Sequence, residues 1–204
     1  VFAFLITFLA IPLVIKISDV RQLFDVPNQR KSHIEKVPVL GGAAILVGIV
    51  SSSVFFTSIL EWHELKFILT AICLIYLMGL VDDLKETSFF IKLLAQIVAA
   101  LVIVLFGEIT ITSFYGLFAV FEISEGVSII TSVILIIMIM NAYNFIDGID
   151  GLSSALGIVA SAFLGFYFLY NGYSDYSILS FSLTGSLVAF LFFNYPPAKI
   201  FMGD

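Results

Sequence analysis

Apolar residues gather into seven long runs that short polar segments separate. The runs cover roughly residues 1–18, 39–60, 66–81, 89–106, 127–143, 152–171 and 177–195. A helix that crosses a bilayer needs about 20 mainly apolar residues, with a range of about 17–25. The pattern therefore predicts an all-α polytopic membrane protein with about seven spanning helices, in a single domain over residues 1–204.

One polar segment, residues 107–126, is longer than the others. Between residues 109 and 123, β-branched and aromatic residues flank Gly116, and the stretch is too short for two further spans. Such residues around a central glycine are typical of paired strands. We expect a short β-hairpin at the outer membrane surface.

Composition supports the membrane class and excludes two others. The chain is 61% hydrophobic and 12% charged, whereas soluble domains are about 45–50% apolar and about 25% charged. This balance excludes a disordered chain and argues against a water-soluble fold. The net charge of −6 with no large basic cluster predicts no nucleic-acid partner.

The distribution of positive charges predicts the orientation. Seven spans place the connecting loops alternately on two sides, and Lys66 is the single cation assigned to the second side. The first side receives the other eight: Lys16, Arg21, Arg30, Lys31, Lys36, Lys85, Lys92 and Lys199. Because cytoplasmic loops carry an excess of Lys and Arg, the first side is predicted to be cytoplasmic.

Three acidic loops fall on this same side. They contain Asp82 and Asp83, Asp147 and Asp150, and the terminal Asp204. Taken singly, each carboxylate has a structural explanation as a helix cap or a solvated ion pair. Their convergence favours a site, and carboxylate and amide oxygens are the hard ligands that suit Mg²⁺. If residues 144–150 were helical, Asn144 would share one helix side with Asp147 and Asp150.

A basic loop lies beside the acidic ones. It contains Lys31, His33 and Lys36, and it ends at Gly41-Gly42, where helix amides could meet an anion. An acidic metal site with a basic rim at the membrane surface is the arrangement expected for phosphoryl transfer involving a lipid. Two alternatives are a cation transporter with intramembrane carboxylates and a structural subunit whose charges only cap helices.

Four ordered motifs resemble one enzyme family. They are Asp25-Val-Pro-Asn-Gln-Arg-Lys-Ser-His33 with Val37-Pro-Val-Leu-Gly-Gly42, Gly79-Leu-Val-Asp-Asp-Leu-Lys85, Asn141-Ala-Tyr-Asn-Phe-Ile-Asp-Gly-Ile-Asp-Gly-Leu152, and Phe201-Met-Gly-Asp204. Together they resemble the polyprenyl-phosphate N-acetylhexosamine-1-phosphate transferases of glycosyltransferase 4 type. The form of the first motif is similar to the WecA/TagO branch, and the Gly-Thr-Pro-Thr pattern of the related MraY branch is absent.

The resemblance implies an integral enzyme of the bacterial plasma membrane with a cytoplasmic active site. It would use Mg²⁺, with Mn²⁺ as the alternative, to transfer N-acetylhexosamine-1-phosphate from a UDP-sugar to undecaprenyl phosphate. UMP would be released, and the product would start a cell-envelope polysaccharide. UDP-N-acetylglucosamine is the expected donor, an MraY-like phospho-N-acetylmuramoyl-pentapeptide transfer is the alternative reaction, and a homodimer is a further expectation.

The resemblance also assigns roles to residues. Asp82, Asp83, Asp147 and Asp150 would be catalytic, and Asn144 and Asp204 would hold the metal. Substrate contacts would come from Lys31, His33, Lys36, Lys85 and Asn141. Because the family continues beyond its Met-Gly-Asp motif, further spans are expected after Asp204.

Overall fold

The fold is a bundle of apolar helices. The computed structural model describes residues 1–25, 37–57, 62–85 and 87–203. Within these ranges the α-helices are α1 (Phe2–Arg21), α2 (Gly41–Phe56), α3 (Trp62–Leu84), α4 (Phe89–Leu101), α5 (Glu125–Ile146), α6 (Leu152–Tyr170) and α7 (Ser174–Asn194). A π-helical turn, Val102–Phe106, continues α4, and two short antiparallel strands, β1 (Phe24–Asp25) and β2 (Val37–Pro38), pair between α1 and α2.

The predicted all-α membrane architecture is confirmed. Among the described residues, six helices are long and apolar enough to cross a bilayer, α4 reaching that length with its π-helical turn. The remaining helix, α2, has 16 residues, which corresponds to about 24 Å at 1.5 Å per residue. Helix α2 is shorter than the apolar run 39–60 from which we predicted it.

Although it is short, α2 reverses the direction of α1. The Phe2 ring at the start of α1 lies 5.2 Å from the Phe55 ring at the end of α2. Further along α1, the Thr7 hydroxyl donates to the carbonyl oxygen of Ala44 over 3.3 Å. The two helices are thus antiparallel, as the alternating topology requires.

Helix α7 lies at the centre of the packing and contacts α1, α2 and α6. Its buried Phe190 belongs to a core with Ile11 of α1 and Ile45 of α2. Small residues let the backbones approach closely, because a Cβ at Gly48 would overlap Thr7 and lie 2.5 Å from the Ser186 hydroxyl. Close contact through small residues is the usual basis of helix association in lipid.

Side-chain contacts sort the helix termini into two ends. We call the end that carries residues 37–42, 82–92, 141–154 and 194–203 the site end, and the opposite one the far end. At the site end, for example, the Tyr143 hydroxyl of α5 donates to the Ser153 carbonyl of α6 over 2.6 Å. At the far end the Phe67 and Phe106 rings lie 6.0 Å apart. The alternation of loops predicted from the sequence is confirmed.

The predicted hairpin over residues 109–123 takes a reduced form. The chain reverses direction there, but Ser113 and Glu122 form a single antiparallel bridge rather than part of two regular strands. A 3₁₀ turn, Leu117–Ala119, closes the reversal after Gly116, whose φ of 86° favours glycine. The two strands that do pair, β1 and β2, lie at the site end.

Candidate active site

Asp82 lies in the last turn of α3 and joins that helix to α4. One carboxylate oxygen accepts hydrogen bonds from the Thr87 amide (2.9 Å) and hydroxyl (2.6 Å). The other lies 2.5 Å from Lys92 Nζ, and the Asp82 side chain is 11% exposed. Asp82 therefore caps the turn between two helices while it pairs with a cation.

A small polar cavity opens beside this ion pair, with a volume of about 80 Å³. It lies between α3, α4 and α5, and its polar lining consists of Asp82, Lys92, Gln96, Asn141 and Asn144. The Asn141 amide donates to Gln96 Oε1 over 2.9 Å. The second and third sequence motifs thus meet in space, and α4 supplies two further polar groups.

Lys92 and Gln96 were not predicted as site residues. Lys92 entered the sequence analysis only as part of the charge count, and Gln96 did not enter it. The signal was present, because these are the two polar side chains of α4 and stand four residues apart, on one face of the helix.

Asp83 faces a different space from its neighbour. Consecutive helical residues point about 100° apart, and Asp83 lines an apolar groove of about 290 Å³ between α2 and α3. Gly203 closes one end of this groove, with a φ of 85°. A Cβ at Gly203 would lie 2.5 Å from Asp83 Oδ2, so the fourth motif runs directly against Asp83.

The first and fourth motifs are joined through their backbones. The Phe201 amide donates to the Pro38 carbonyl over 2.8 Å. In return the Gly41 and Gly42 amides donate to the carbonyls of Phe201 (2.9 Å) and Met202 (2.8 Å). The expectation that these glycine amides meet an anion is therefore wrong, since both are used by the Met-Gly-Asp segment.

The turn after α5 carries Asp147 and Asp150. Helix α5 ends at Ile146, so of the three residues that a helix over 144–150 would align, only Asn144 is helical. Asp147 accepts a short hydrogen bond from the Ser153 hydroxyl. Asp150 Oδ2 accepts from the Ala198 amide over 3.1 Å. Both carboxylates stabilise the turn, and their catalytic role stays a prediction.

Asn194 fixes this turn to the fourth motif, and no sequence pattern pointed to it. Its side chain is 3% exposed. Oδ1 accepts from the Gly151 amide (2.9 Å) and the Ser154 hydroxyl (3.2 Å), while Nδ2 donates to the Ile200 carbonyl (3.0 Å). One buried amide thereby holds together the end of α7, the start of α6 and the segment before Phe201.

Several predicted site residues lie elsewhere. Lys85 is exposed just after α3. The basic-loop residues Lys31, His33 and Lys36, and also Asp204, lie outside the described residues. Within the described ranges, no three His, Cys, Asp or Glu side chains are placed to hold a metal ion. Asp83, which Gly203 approaches, and the Asn144 amide of the polar cavity have the oxygen chemistry that Mg²⁺ prefers.

Comparison with known proteins agrees with this arrangement. The profile of the family described as Glycosyl transferase family 4 matches residues 65–204. An undecaprenyl-phosphate alpha-N-acetylglucosaminyl 1-phosphate transferase of Haemophilus influenzae is 32% identical over 89% of this chain and 52% of its own length. A probable undecaprenyl-phosphate N-acetylglucosaminyl 1-phosphate transferase of Bacillus subtilis is 33% identical over 100% of this chain and 58% of its own length.

A third relative carries a different name. The phospho-N-acetylmuramoyl-pentapeptide-transferase of Caldanaerobacter subterraneus is 32% identical over 85% of this chain and 58% of its own length. The chain thus spans little more than half of each of these relatives. The profile match covers more than half of the chain, and it includes the second, third and fourth motifs. The chain therefore belongs to glycosyl transferase family 4.

Proposed function

We propose that this chain forms the catalytic part of a membrane transferase for N-acetylhexosamine-1-phosphate. The donor is a UDP-sugar, UDP-N-acetylglucosamine in the first place, and the acceptor is undecaprenyl phosphate. The observation that carries the proposal is that the described parts of four separate motifs meet at one end of a membrane bundle. The names of the Haemophilus influenzae and Bacillus subtilis relatives support undecaprenyl phosphate as acceptor and N-acetylglucosaminyl 1-phosphate as the transferred group.

The location of the site suits two substrates of opposite solubility. Asp82 and Asp83 stand in the last turn of a spanning helix, and the Asp147–Gly151 turn follows the end of another. A lipid phosphate lies at this depth, while a nucleotide sugar reaches the same helix ends from water. We propose that this end faces the cytoplasm, where the positive charges of the chain accumulate.

The chemistry needs positioning and charge neutralisation more than a strong base. The second pKa of a phosphate monoester is about 6, so at neutral pH the lipid phosphate is largely a dianion that can attack phosphorus without a general base. We propose that Lys92, Gln96, Asn141 and Asn144 orient phosphate oxygens from the polar cavity. Asp82 would hold the Lys92 ammonium in place through their ion pair.

Magnesium is part of the proposal. When bound, it would neutralise charge on the diphosphate and on the departing UMP. We propose Asn144 and Asp204 as its protein ligands, with Asp83 as the nearest described carboxylate because Gly203 lies against it. Asp147 and Asp150 would shape the nucleotide side of the site.

A second candidate is phospho-N-acetylmuramoyl-pentapeptide transfer. The Caldanaerobacter subterraneus relative, whose identity to this chain is similar, favours it. The absence of the Gly-Thr-Pro-Thr pattern before Gly41 disfavours it. A cation transporter is disfavoured more strongly, because Asp82 and Asp83 lie at a helix end rather than along a span.

The test is a donor panel on the full-length protein in native membranes or in detergent. Undecaprenyl phosphate is mixed with UDP-N-acetylglucosamine or with UDP-N-acetylmuramoyl-pentapeptide, with Mg²⁺ or with EDTA, and UMP is measured. We expect UMP from the first donor and its loss with EDTA. UMP from the pentapeptide donor alone would support the second candidate, and cation flux without UMP from any donor would overturn the enzyme proposal.

A further inference from the structure

The chain reversal between α4 and α5, at the far end, is hydrogen-bonded to residues within the spanning helix α5 rather than to residues outside it. The Ile111 amide donates to Ser132 Oγ over 2.8 Å, and Ser128 Oγ donates to the Ile111 carbonyl over 2.7 Å. Both serines are buried. Since α5 begins at Glu125, Ser132 lies about 10 Å into that helix at 1.5 Å per residue. The stem of the reversal thus runs along α5 at membrane depth.

The backbone of the reversal bonds largely to itself. The amides of residues 114–117, 119 and 120 all donate to acceptors within the turn, over 2.9 to 3.2 Å. In a loop that faces water, such groups could bond to solvent instead. In hydrocarbon or at its boundary they cannot, so internal pairing is the condition for placing an irregular segment there.

Three large side chains of the reversal are mostly exposed. Tyr115 is 91% exposed, Leu117 61% and Phe121 68%. Phe106, at the end of the π-helical turn, is exposed as well. No Lys or Arg occurs from residue 93 to residue 198, so an anionic macromolecule has no cation to bind on this segment.

We infer that the turn formed by residues 113–121 lies in the headgroup–acyl boundary of the leaflet at the far end. Tyr115, Leu117 and Phe121 contact lipid, and the exposed carboxylates of Glu108 and Glu122 mark its aqueous edge. An amphipathic ring such as tyrosine suits this boundary. The turn anchors the α4–α5 pair at a fixed depth, and with it the polar cavity that those helices line at the site end.

The experiment places a fluorescent reporter in the turn. Trp62, the one tryptophan of this chain, and any tryptophan elsewhere in the full-length protein are replaced by Phe, and Phe121→Trp is introduced. The protein is reconstituted in phosphatidylcholine–phosphatidylglycerol vesicles that contain lipids brominated either near the headgroup or near the chain end. Phe163→Trp is the matched control, because Phe163 is 70% exposed in the middle of α6.

We expect Phe121→Trp to lose more fluorescence to the shallow bromines than to the deep ones, with the reverse order for Phe163→Trp. Aqueous iodide should quench both reporters much less than it quenches free tryptophan. Strong iodide quenching without bromine quenching would place the turn in water and overturn the inference. Weak quenching by both iodide and brominated lipid, if it varied with the protein-to-lipid ratio, would indicate that the turn contacts another protein. That result would also overturn the inference. Tyr115→Trp serves as the second reporter if Phe121→Trp does not fold.

Discussion

At the scale of single residues, the structure separates two carboxylates that the sequence leaves equivalent. Asp82 is held by Thr87 and Lys92 in the turn between α3 and α4. Asp83, the next residue, faces the groove that ends at Gly203. Asp82 thus stabilises the turn between two helices, while Asp83 lies against the Met-Gly-Asp segment.

We predict that Asp83→Asn and Asp82→Asn both lower activity. Asp83→Asn should reduce UMP release by about 100- to 1000-fold, as expected for the loss of one electrostatic contact in a transition state. Asp82→Asn should lower the melting temperature as well as activity, because Lys92 loses its charge partner. The stability cost should be about 1 kcal/mol, since the lysine is 36% exposed.

Both quantities are measured on the same detergent preparations. Thr87→Ala is the control for Asp82, because it removes a hydroxyl donor and leaves the ion pair intact. Wild-type UMP release by Asp83→Asn would contradict the role proposed for that side chain. A wild-type melting temperature for Asp82→Asn would contradict the structural role of the ion pair.

At the scale of elements, the start of α2 is shaped by the segment that packs on it. A Cβ at Gly41 would overlap the Phe190 ring and lie 2.5 Å from the Phe201 carbonyl oxygen. At Gly42 the nearest atom, the Met202 carbonyl oxygen, would lie at 3.1 Å. Glycine at residue 41 is therefore required by close backbone approach.

Substituting these glycines should distinguish the close contact with Phe201 and Met202 from the general effect of replacing a helical glycine with alanine. Gly41→Ala should destabilise the protein by about 1–3 kcal/mol, the usual cost of overpacking, and should lower activity because Phe201–Gly203 must move away from Asp83. Gly42→Ala should have a smaller effect of the same sign. Gly126→Ala is the control, since nothing lies within 4 Å of a Cβ there. Thermal melting and UMP release decide the outcome, and equal behaviour of the Gly41 and Gly126 variants would refute the explanation.

The sequence predicted the helices well because long apolar runs between polar loops leave few alternatives in a membrane. It predicted the meeting of the acidic loops at one end from loop parity alone. The shared cavity of Asp82 and Asn144, and the approach of Gly203 to Asp83, agree. It could not predict Asn194, because that role depends on bonds to residues 40 to 43 positions away. For the same reason, the bonding of the Gly41 and Gly42 amides to Phe201 and Met202 was missed.

At the scale of the whole molecule, helix packing determines which loops lie at the same end, and the distribution of positive charge predicts which end is cytoplasmic. Antiparallel neighbours such as α1 and α2, or α6 and α7, establish which loops share an end. Packing is silent on which end faces the cytoplasm. The charge asymmetry addresses that point, because Lys85, Lys92 and Lys199 accompany the site end while Lys66 stands alone at the other.

We therefore predict that the site end is cytoplasmic, which a labelling experiment on intact cells can decide. Cys73, the one cysteine of this chain, and any cysteine elsewhere in the full-length protein are replaced by Ser. A new cysteine is placed by Asn171→Cys at the far end or by Lys199→Cys at the site end, both at exposed positions. A membrane-impermeant maleimide should label Asn171→Cys in intact cells and Lys199→Cys only after permeabilisation. The reverse pattern would place the carboxylates outside the cell, where no nucleotide sugar is made, and the proposed reaction would then fail with the orientation.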